Sequence, residues 1–492
     1  MAATGAGLLA ETRGLLDRAV EVYRGTPAGQ ELQDVLERLD EPLRVAIAGK
    51  VKAGKSTLLN ALVGEELAPT DEGECTRIVT WYRDGVTYRV TLENHQGESR
   101  QVPFVRDEGA IQVDLGGTNP EEVERLLVDW PSSSLRELTL IDTPGIGSLS
   151  TDVSARTTVF LTPDEDKVTP ADAVLYLMKH LHTTDLRFLE TFHDEEVSQA
   201  NPVNAIAVLS RADEIGAGRI DSLESAERIA LRYRSDEKVQ KLAQTVVPVA
   251  GLIAETGETL REAEFKALSE LASVDPQEVE GLLLSVGRFI NADTTSGLTS
   301  LEREALLDRL GLFGVRLAVQ LIRDGAVANA GDLSEELVRR SGLIELRRVL
   351  LSQFADRRNV LKARAALLAV EAAARQVPTA QSGDLAADVE RITAGAHEFD
   401  ELRLLNALRT GALSVKEGDR QEIERLLGTS GTAATARLGL TAEAQPGEIG
   451  QAAQDAMGRW QRKAESPMSS KELAEASRVI VRTCEGILTE LA

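Results

Sequence analysis

Two cysteines in 492 residues, Cys75 and Cys484, stand too far apart in the chain to suggest a disulfide framework, and they suit a reducing compartment. Aromatic side chains make up only 3% of the sequence, so platforms for stacking single-stranded nucleic acid are not expected. Positive charge is also short. Against 79 acidic residues stand 55 basic ones, a formal charge of -24, which disfavours broad attachment to nucleic acid or anionic lipid and leaves protein surfaces as the expected partners. No apolar run is long enough to span a bilayer. The most apolar stretch, residues 310–322, carries Arg316 and Gln320 and reads as a buried helix. Met1 to Ala10 show neither a basic lead nor a long apolar run, so a cleaved secretion signal is not expected. His180 and His182 lack a third ligand nearby in sequence, and zinc is not implied.

What is present is concentrated in separated loops, each at the end of an apolar strand. Gly49-Lys50-Val51-Lys52-Ala53-Gly54-Lys55-Ser56 fits the pattern G-x-x-x-x-G-K-[ST], with Thr57 following, and lies between an expected strand over 44–48 and a helix over 56–63. Backbone N–H groups of such a turn converge on phosphate, with glycines allowing close approach. Lys55 is then placed to meet the β- and γ-phosphates, and the Ser56 hydroxyl to bind magnesium. Lys50 reads as a solvated neighbour. A second strand, Leu138 to Ile141, ends in Asp142-Thr143-Pro144-Gly145, offering a carboxylate for the metal and the Gly145 N–H for the γ-phosphate. Between these motifs lies Thr76, whose hydroxyl is the candidate to join the magnesium when the γ-phosphate is present and to orient the attacking water.

The base reader is expected at Ser210-Arg211-Ala212-Asp213, after the strand over 204–209. A carboxylate complements the adjacent donors of guanine, whereas adenine presents an acceptor beside a donor, so Asp213 selects GTP over ATP. Arg211 can lie over the purine face. Asp213 is equally good helix-capping chemistry, and that alternative stays open here. A fifth loop, Val249-Ala250-Gly251, after the strand over 245–247, would back the base with main-chain groups.

The length allows two or three domains. Apolar spacing predicts paired helices over 1–40, a mostly parallel sheet with covering helices over 41–275, and helices thereafter. Residues 276–332 read as neck or hinge and 333–466 as a helical trunk. Leu343, Leu346, Leu350, Phe354, Leu361 and Leu368 form one stripe, which predicts a single helix over 333–376, roughly 65 Å long. Residues 392–427 supply an antiparallel return with a break at Gly411. Residues 428–450 read as a loop or tip, with Leu438 and Leu440 beside Arg437 as a small patch that could touch lipid, and 467–492 as a final neck helix.

These motifs, in this order, resemble the GTPase domain of dynamins. Ser56 and Asp142 are separated by 86 positions, enough for extra strands such as 80–92. With the helix before the phosphate loop, the Glu74 to Thr80 context and the long helical C-terminal half, the chain looks like bacterial dynamin-like proteins, and in particular the isoniazid-inducible dynamin-like GTPases of mycobacteria. The resemblance implies an α/β P-loop GTPase domain joined to an elongated all-α neck and trunk, with the last helix joining the first as a neck. It also implies magnesium-dependent GTP hydrolysis, self-association through the GTPase domain, a paralogous subunit, and membrane remodelling from the cytoplasmic face of the plasma membrane. Two positions depart from the pattern. Ser210 and Arg211 replace an Asn or Thr followed by Lys. Lys52 replaces a small polar residue that, in eukaryotic dynamins, helps hold a monovalent cation, so its ammonium is a candidate for that charge. The competing readings are a soluble nucleotide-regulated switch or scaffold and, third, an ATPase.

Overall fold

The computed structural model describes residues 5–69, 78–107, 110–144, 170–181, 185–186, 205–216, 218–351, 354, 357–409, 413–429 and 431–491. Two N-terminal helices, α1 (Gly5–Val22) and α2 (Pro27–Arg38), are joined by a turn through Gly25, with Thr26 accepting the Gly29 N–H as an N-cap. They lead into β1 (Leu43–Gly49), which is followed by α3 (Lys55–Val63).

Nine strands form one sheet. Besides β1 these are β2 (Val79–Asp84), β3 (Arg89–Asn94), β4 (Ser99–Val102), β7 (Val123–Trp130), β8 (Leu138–Asp142), β9 (Ala173–Met178), β10 (Ala205–Ser210) and β11 (Val246–Val249), with β5 (Phe104–Asp107) and β6 (Ala110–Val113) forming a separate hairpin. The order is β11-β10-β9-β1-β8-β2-β7-β3-β4. From β11 to β8 every neighbour is parallel, and β2 then joins β8 antiparallel, so the insertion between the two phosphate motifs extends the sheet at one side.

Side chains alternate between two covered faces, which is why β1, β9 and β10 read as continuous apolar runs. Val45 and Ile47 face one core with α3, and Ala46 and Ala48 face the other. The second core is filled by helices that continue well past residue 275. They include α4 (Ser222–Arg234), α5 (Glu237–Leu242), α6 (Gly251–Thr259), α7 (Glu262–Ser273), α8 (Pro276–Leu282), α9 (Val286–Asn291), α10 (Ser300–Arg323) and α11 (Ala330–Arg340). Residues 276–332, expected as a neck, therefore pack into the sheet body. The apolar stretch 310–322 is buried as expected, although Gly311 interrupts α10 with φ 63.

The single long helix expected over 333–376 is three. After α11 come α12 (Leu343–Leu350) and α13 (Arg358–Gln376). The first break is Gly342, held at φ 85, where an added Cβ would sit 2.1 Å from the Pro248 carbonyl oxygen of β11. The apolar stripe is real, but Leu343, Leu346, Leu350, Phe354 and Leu361 face the sheet. Gly342→Ala is expected to cost about 3 kcal/mol or more, because a left-handed φ alone costs a side-chain-bearing residue of order 1–3 kcal/mol and the methyl also collides. Urea unfolding measures it, and an unchanged midpoint would remove Gly342 from this contact.

The helical body combines α1, α2 and α13 with α14 (Ser382–Gly395), α15 (His397–Arg409), α16 (Glu417–Leu426), α17 (Ala434–Leu438), α18 (Pro446–Glu465) and α19 (Lys471–Leu491) around one core centred on Leu15, Leu16, Leu405, Ile423 and Trp460. The final helix pairs chiefly with α18, not with the N-terminal helix as expected. Residues 428–450 do not form a bare tip among the described residues. Arg437 donates to both oxygens of Glu401 at 2.8 and 2.7 Å, Leu438 packs on the main helical core, and Leu440 packs on Ile449, Ala453 and Ile487. The expected break at Gly411 lies outside the described residues.

The two bodies meet at a polar joint. Asp172, before β9, accepts from the Arg38 guanidinium at 2.9 Å and from the Arg44 N–H at 2.8 Å. Lys362 on α13 donates to the carbonyls of Leu39 and Glu41, and burial pushes its ammonium down to about 8.

Candidate active site

The loop between β1 and α3 is shaped by two glycines with different tasks. Gly49 has φ 152, and a Cβ there would lie 2.6 Å from the Leu177 carbonyl oxygen, so glycine is required by the neighbouring strand as much as by any ligand. Gly54 caps α3 at φ 91 with no side-chain bond. The first amides of α3 have no intrahelical partners, and this is the arrangement that receives anions. Lys52, between the glycines, also holds a left-handed φ of 61 and is exposed, as is Val51.

At the opposite side of β1, the Thr143 hydroxyl donates to the Ile47 carbonyl at 2.8 Å and ties the end of β8 to the P-loop strand. That contact fixes Asp142. Its Oδ2 accepts from the Ser56 hydroxyl at 3.2 Å, while its Oδ1 is buried with no hydrogen-bond partner among the described residues. Burial raises the Asp142 carboxyl above its ordinary range, opposed by the Lys55 charge and the Ser56 bond. Burial lowers Lys55, opposed by Asp142. A buried carboxylate oxygen without a partner beside a serine hydroxyl is a donor set suited to a hard divalent cation, so these residues fit magnesium.

A pocket continues from the P-loop to the end of β10. Ala53, Gly54, Thr57 and Leu58 line one side, Leu177 and Val208 its floor, and Ser210, Arg211, Asp213 and Glu214 the other side. Asp213 is buried within a short 3-10 turn, and burial raises its carboxyl above the ordinary range. It caps no helix, since the next one, α4, has Asp221 at its N-cap. The Ser210 hydroxyl is buried with no hydrogen-bond partner among the described residues. Arg211 stands at φ 53 with its guanidinium on Glu214 at 2.5 Å, at the pocket rim.

A sequence model of the dynamin family matches residues 45–210. Over 487 residues, covering 98% of each chain, the sequence is 40% identical to the isoniazid-induced protein IniC of Mycobacterium tuberculosis. The chain belongs to the dynamin family. It is also 29% identical over 163 residues to a bacterial dynamin-like protein of Nostoc punctiforme, covering 30% of this chain and 22% of that one. Its identity to the isoniazid-induced protein IniA of M. tuberculosis is 26% over 337 residues, covering 66% and 47%. The sheet body is accordingly a dynamin-family GTPase domain.

Within this dynamin-like GTPase two expected residues are placed differently. Lys50 is not a solvated neighbour: its ammonium lies 2.9 Å from Asp185, a buried carboxylate that also accepts the Tyr176 hydroxyl at 2.8 Å. Nothing in the sequence near Asp185 announces this, because the partners come from three separate stretches. Ala250 does not back the base. Its N–H donates to the Ser341 carbonyl at 2.9 Å and its carbonyl accepts from Ala254, while the other two residues of the expected loop, Val249 and Gly251, line the pocket with Leu252. Thr76 and Gly145 lie outside the described residues. Among those described, no group of histidine, cysteine and acidic residues is arranged for a further metal, and no helix is long and apolar enough to cross a membrane.

Proposed function

We propose that this chain hydrolyses GTP with magnesium and couples loss of the γ-phosphate to movement of its helical body, serving membrane remodelling or maintenance at the cytoplasmic face of the plasma membrane. The observation that carries the nucleotide part is the meeting of Ser56, Asp142 and Lys55 at the start of α3, beside a pocket that runs from Gly54 and Thr57 to Asp213. Ser56 and Asp142, with Thr76, hold the metal, which when bound neutralises charge on the transferring phosphoryl group. Lys55 faces the β- and γ-phosphates as a point charge, the α3 amides receive their oxygens, and Gly145 offers its N–H to the terminal group. Thr76 orients water. Asp213 accepts from the guanine edge while Arg211 covers the ring. Lys52 adds positive charge where eukaryotic dynamins hold a monovalent cation. Pairing of GTPase domains, with a second copy or a paralogue, completes the site.

The membrane clause rests on resemblance, and one observation favours the rival reading of a soluble nucleotide-regulated switch or scaffold: Arg437, Leu438 and Leu440 are committed to the helical body. Liposome flotation with GTP turnover measured in parallel separates the two. The proposal expects co-flotation and lipid-stimulated turnover. Absence of both at high protein concentration supports the rival, and preferential ATP turnover removes the base assignment. The same assay in sodium and potassium buffers tests Lys52, since strong potassium dependence means that the cation is still needed.

A further inference from the structure

The wall of the pocket is a seam between two helices that both begin at it. On α3, Thr57 and Leu58 line the pocket, and on α6 Gly251 and Leu252 do. The helices approach so closely at the top of the seam that a Cβ on Gly251 would lie 3.3 Å from the Thr57 methyl carbon. One turn further down, Asn60 of α3 meets Glu255 of α6, and both are buried. The Asn60 amide is fully used. Its Nδ2 donates to Glu255 Oε1 at 2.7 Å and to the Ala68 carbonyl at 3.1 Å, while its Oδ1 accepts from the N–H groups of Leu67 and Ala68 at 2.9 and 2.7 Å. Two donors and two lone pairs saturate the group and fix its orientation.

We infer that Asn60 and Glu255 are positioning residues that set the spacing of α3 and α6, and through that spacing the affinity of the pocket for nucleotide. The inference rests on the nucleotide reading of the site. No arginine or lysine neutralises Glu255 directly: Arg309 of α10 faces it but is bonded to Glu66 at 2.5 Å, Glu264 at 2.9 Å and Thr259 at 2.6 Å. Glu66, itself within 3.6 Å of Arg261, adds negative charge, and Glu258 on the outer turn of α6 is paired with Arg347 of α12 at 2.6 Å. Burial, with Glu66, pushes the Glu255 carboxyl up to about 7 against the pull of Asn60 and Arg309. The folded protein holds this proton longer than the unfolded chain, so folding is disfavoured increasingly as pH rises from about 4.5 to about 7. Ionised Glu255 strains the seam, and nucleotide affinity falls as pH rises through about 7.

The test measures the dissociation constant of a fluorescent GDP analogue from pH 6 to 8.5, using the full chain and its Glu255→Gln, Asn60→Asp and doubly substituted forms. Glu255→Gln mimics the protonated acid and keeps the acceptor for Asn60. Wild-type affinity is expected to weaken at least about threefold relative to Glu255→Gln between the ends of the range. Asn60→Asp is expected to lose about tenfold or more at pH 8.5, where a carboxylate replaces the amide that donates to Glu255 and to the Ala68 carbonyl, and the double form recovers most of it through the amide that Glu255→Gln introduces. Parallel wild-type and Glu255→Gln profiles, or Asn60→Asp binding like wild type, overturn the pair. Should Asn60→Asp not fold, the Glu255→Gln profile alone decides. Wild-type protein that binds no guanine nucleotide overturns the site reading itself, an outcome distinct from tight binding with parallel profiles.

Discussion

Asp213→Asn is expected to weaken GDP and GTP by about a hundredfold or more, while xanthine nucleotides gain at least about tenfold. A buried carboxylate accepts both guanine edge donors through charge-assisted bonds worth about 1.5–3 kcal/mol each, and asparagine keeps one acceptor but turns a donor toward the exocyclic amine. Xanthine carries a carbonyl where guanine carries that amine, so the same amide becomes complementary. Stability without nucleotide moves the other way. Burial raises the Asp213 carboxyl, so the folded state retains its proton longer than the unfolded chain and ionisation at higher pH works against folding. Removing that charge leaves the apo protein at least as stable at pH 7. Calorimetric titration with the two nucleotide classes, beside thermal unfolding, checks both signs. A variant that unfolds earlier and keeps its guanine preference would return Asp213 to a structural role.

Lys55→Met is expected to abolish measurable turnover, a loss of roughly 10³-fold or more, and to weaken guanine nucleotide binding by about a hundredfold. Methionine fills the aliphatic space but leaves the phosphates without their point charge and Asp142 without its opposing cation. The apo fold suffers less, because relief of a buried ammonium offsets the added strain on Asp142. Turnover above one tenth of wild type, with an unchanged thermal midpoint, would overturn the assignment.

The chemistry of the site was legible because each motif closes an apolar strand, and strand ends in a parallel sheet share one edge. Lys55, Ser56, Asp142 and Asp213 could thus be placed from local pattern alone. Periodicity told less about the helices. The stripe from Leu343 to Leu361 identifies an apolar face but not which core receives it, and it stays in phase across a break. Ser341-Gly342 was the available warning, a small pair inside a long amphipathic run. Lys50 with Asp185 and Arg437 with Glu401 were out of reach, since a charged side chain shows no partner from a distant part of the sequence until the chain is folded. Gly49 showed the opposite difficulty. Its place in the phosphate pattern concealed the backbone of Leu177 as an equally strong reason for glycine.

Gly342 also keeps the chain on the sheet before it crosses to the helical body. With Leu343, Leu346, Leu350, Phe354 and Leu361 packed on the sheet, the chain passes between the two bodies at Leu39 to Leu43 and again within α13, whose Lys362 bonds the first passage. The bodies are also tied away from these passages, since Arg420 of α16 donates to Gln240 of α5 at 2.7 Å. α13, about 28 Å long at 1.5 Å per residue, is therefore a bridge, rooted in one core by Leu361 and in the other by Ala363, Ala366 and Leu367.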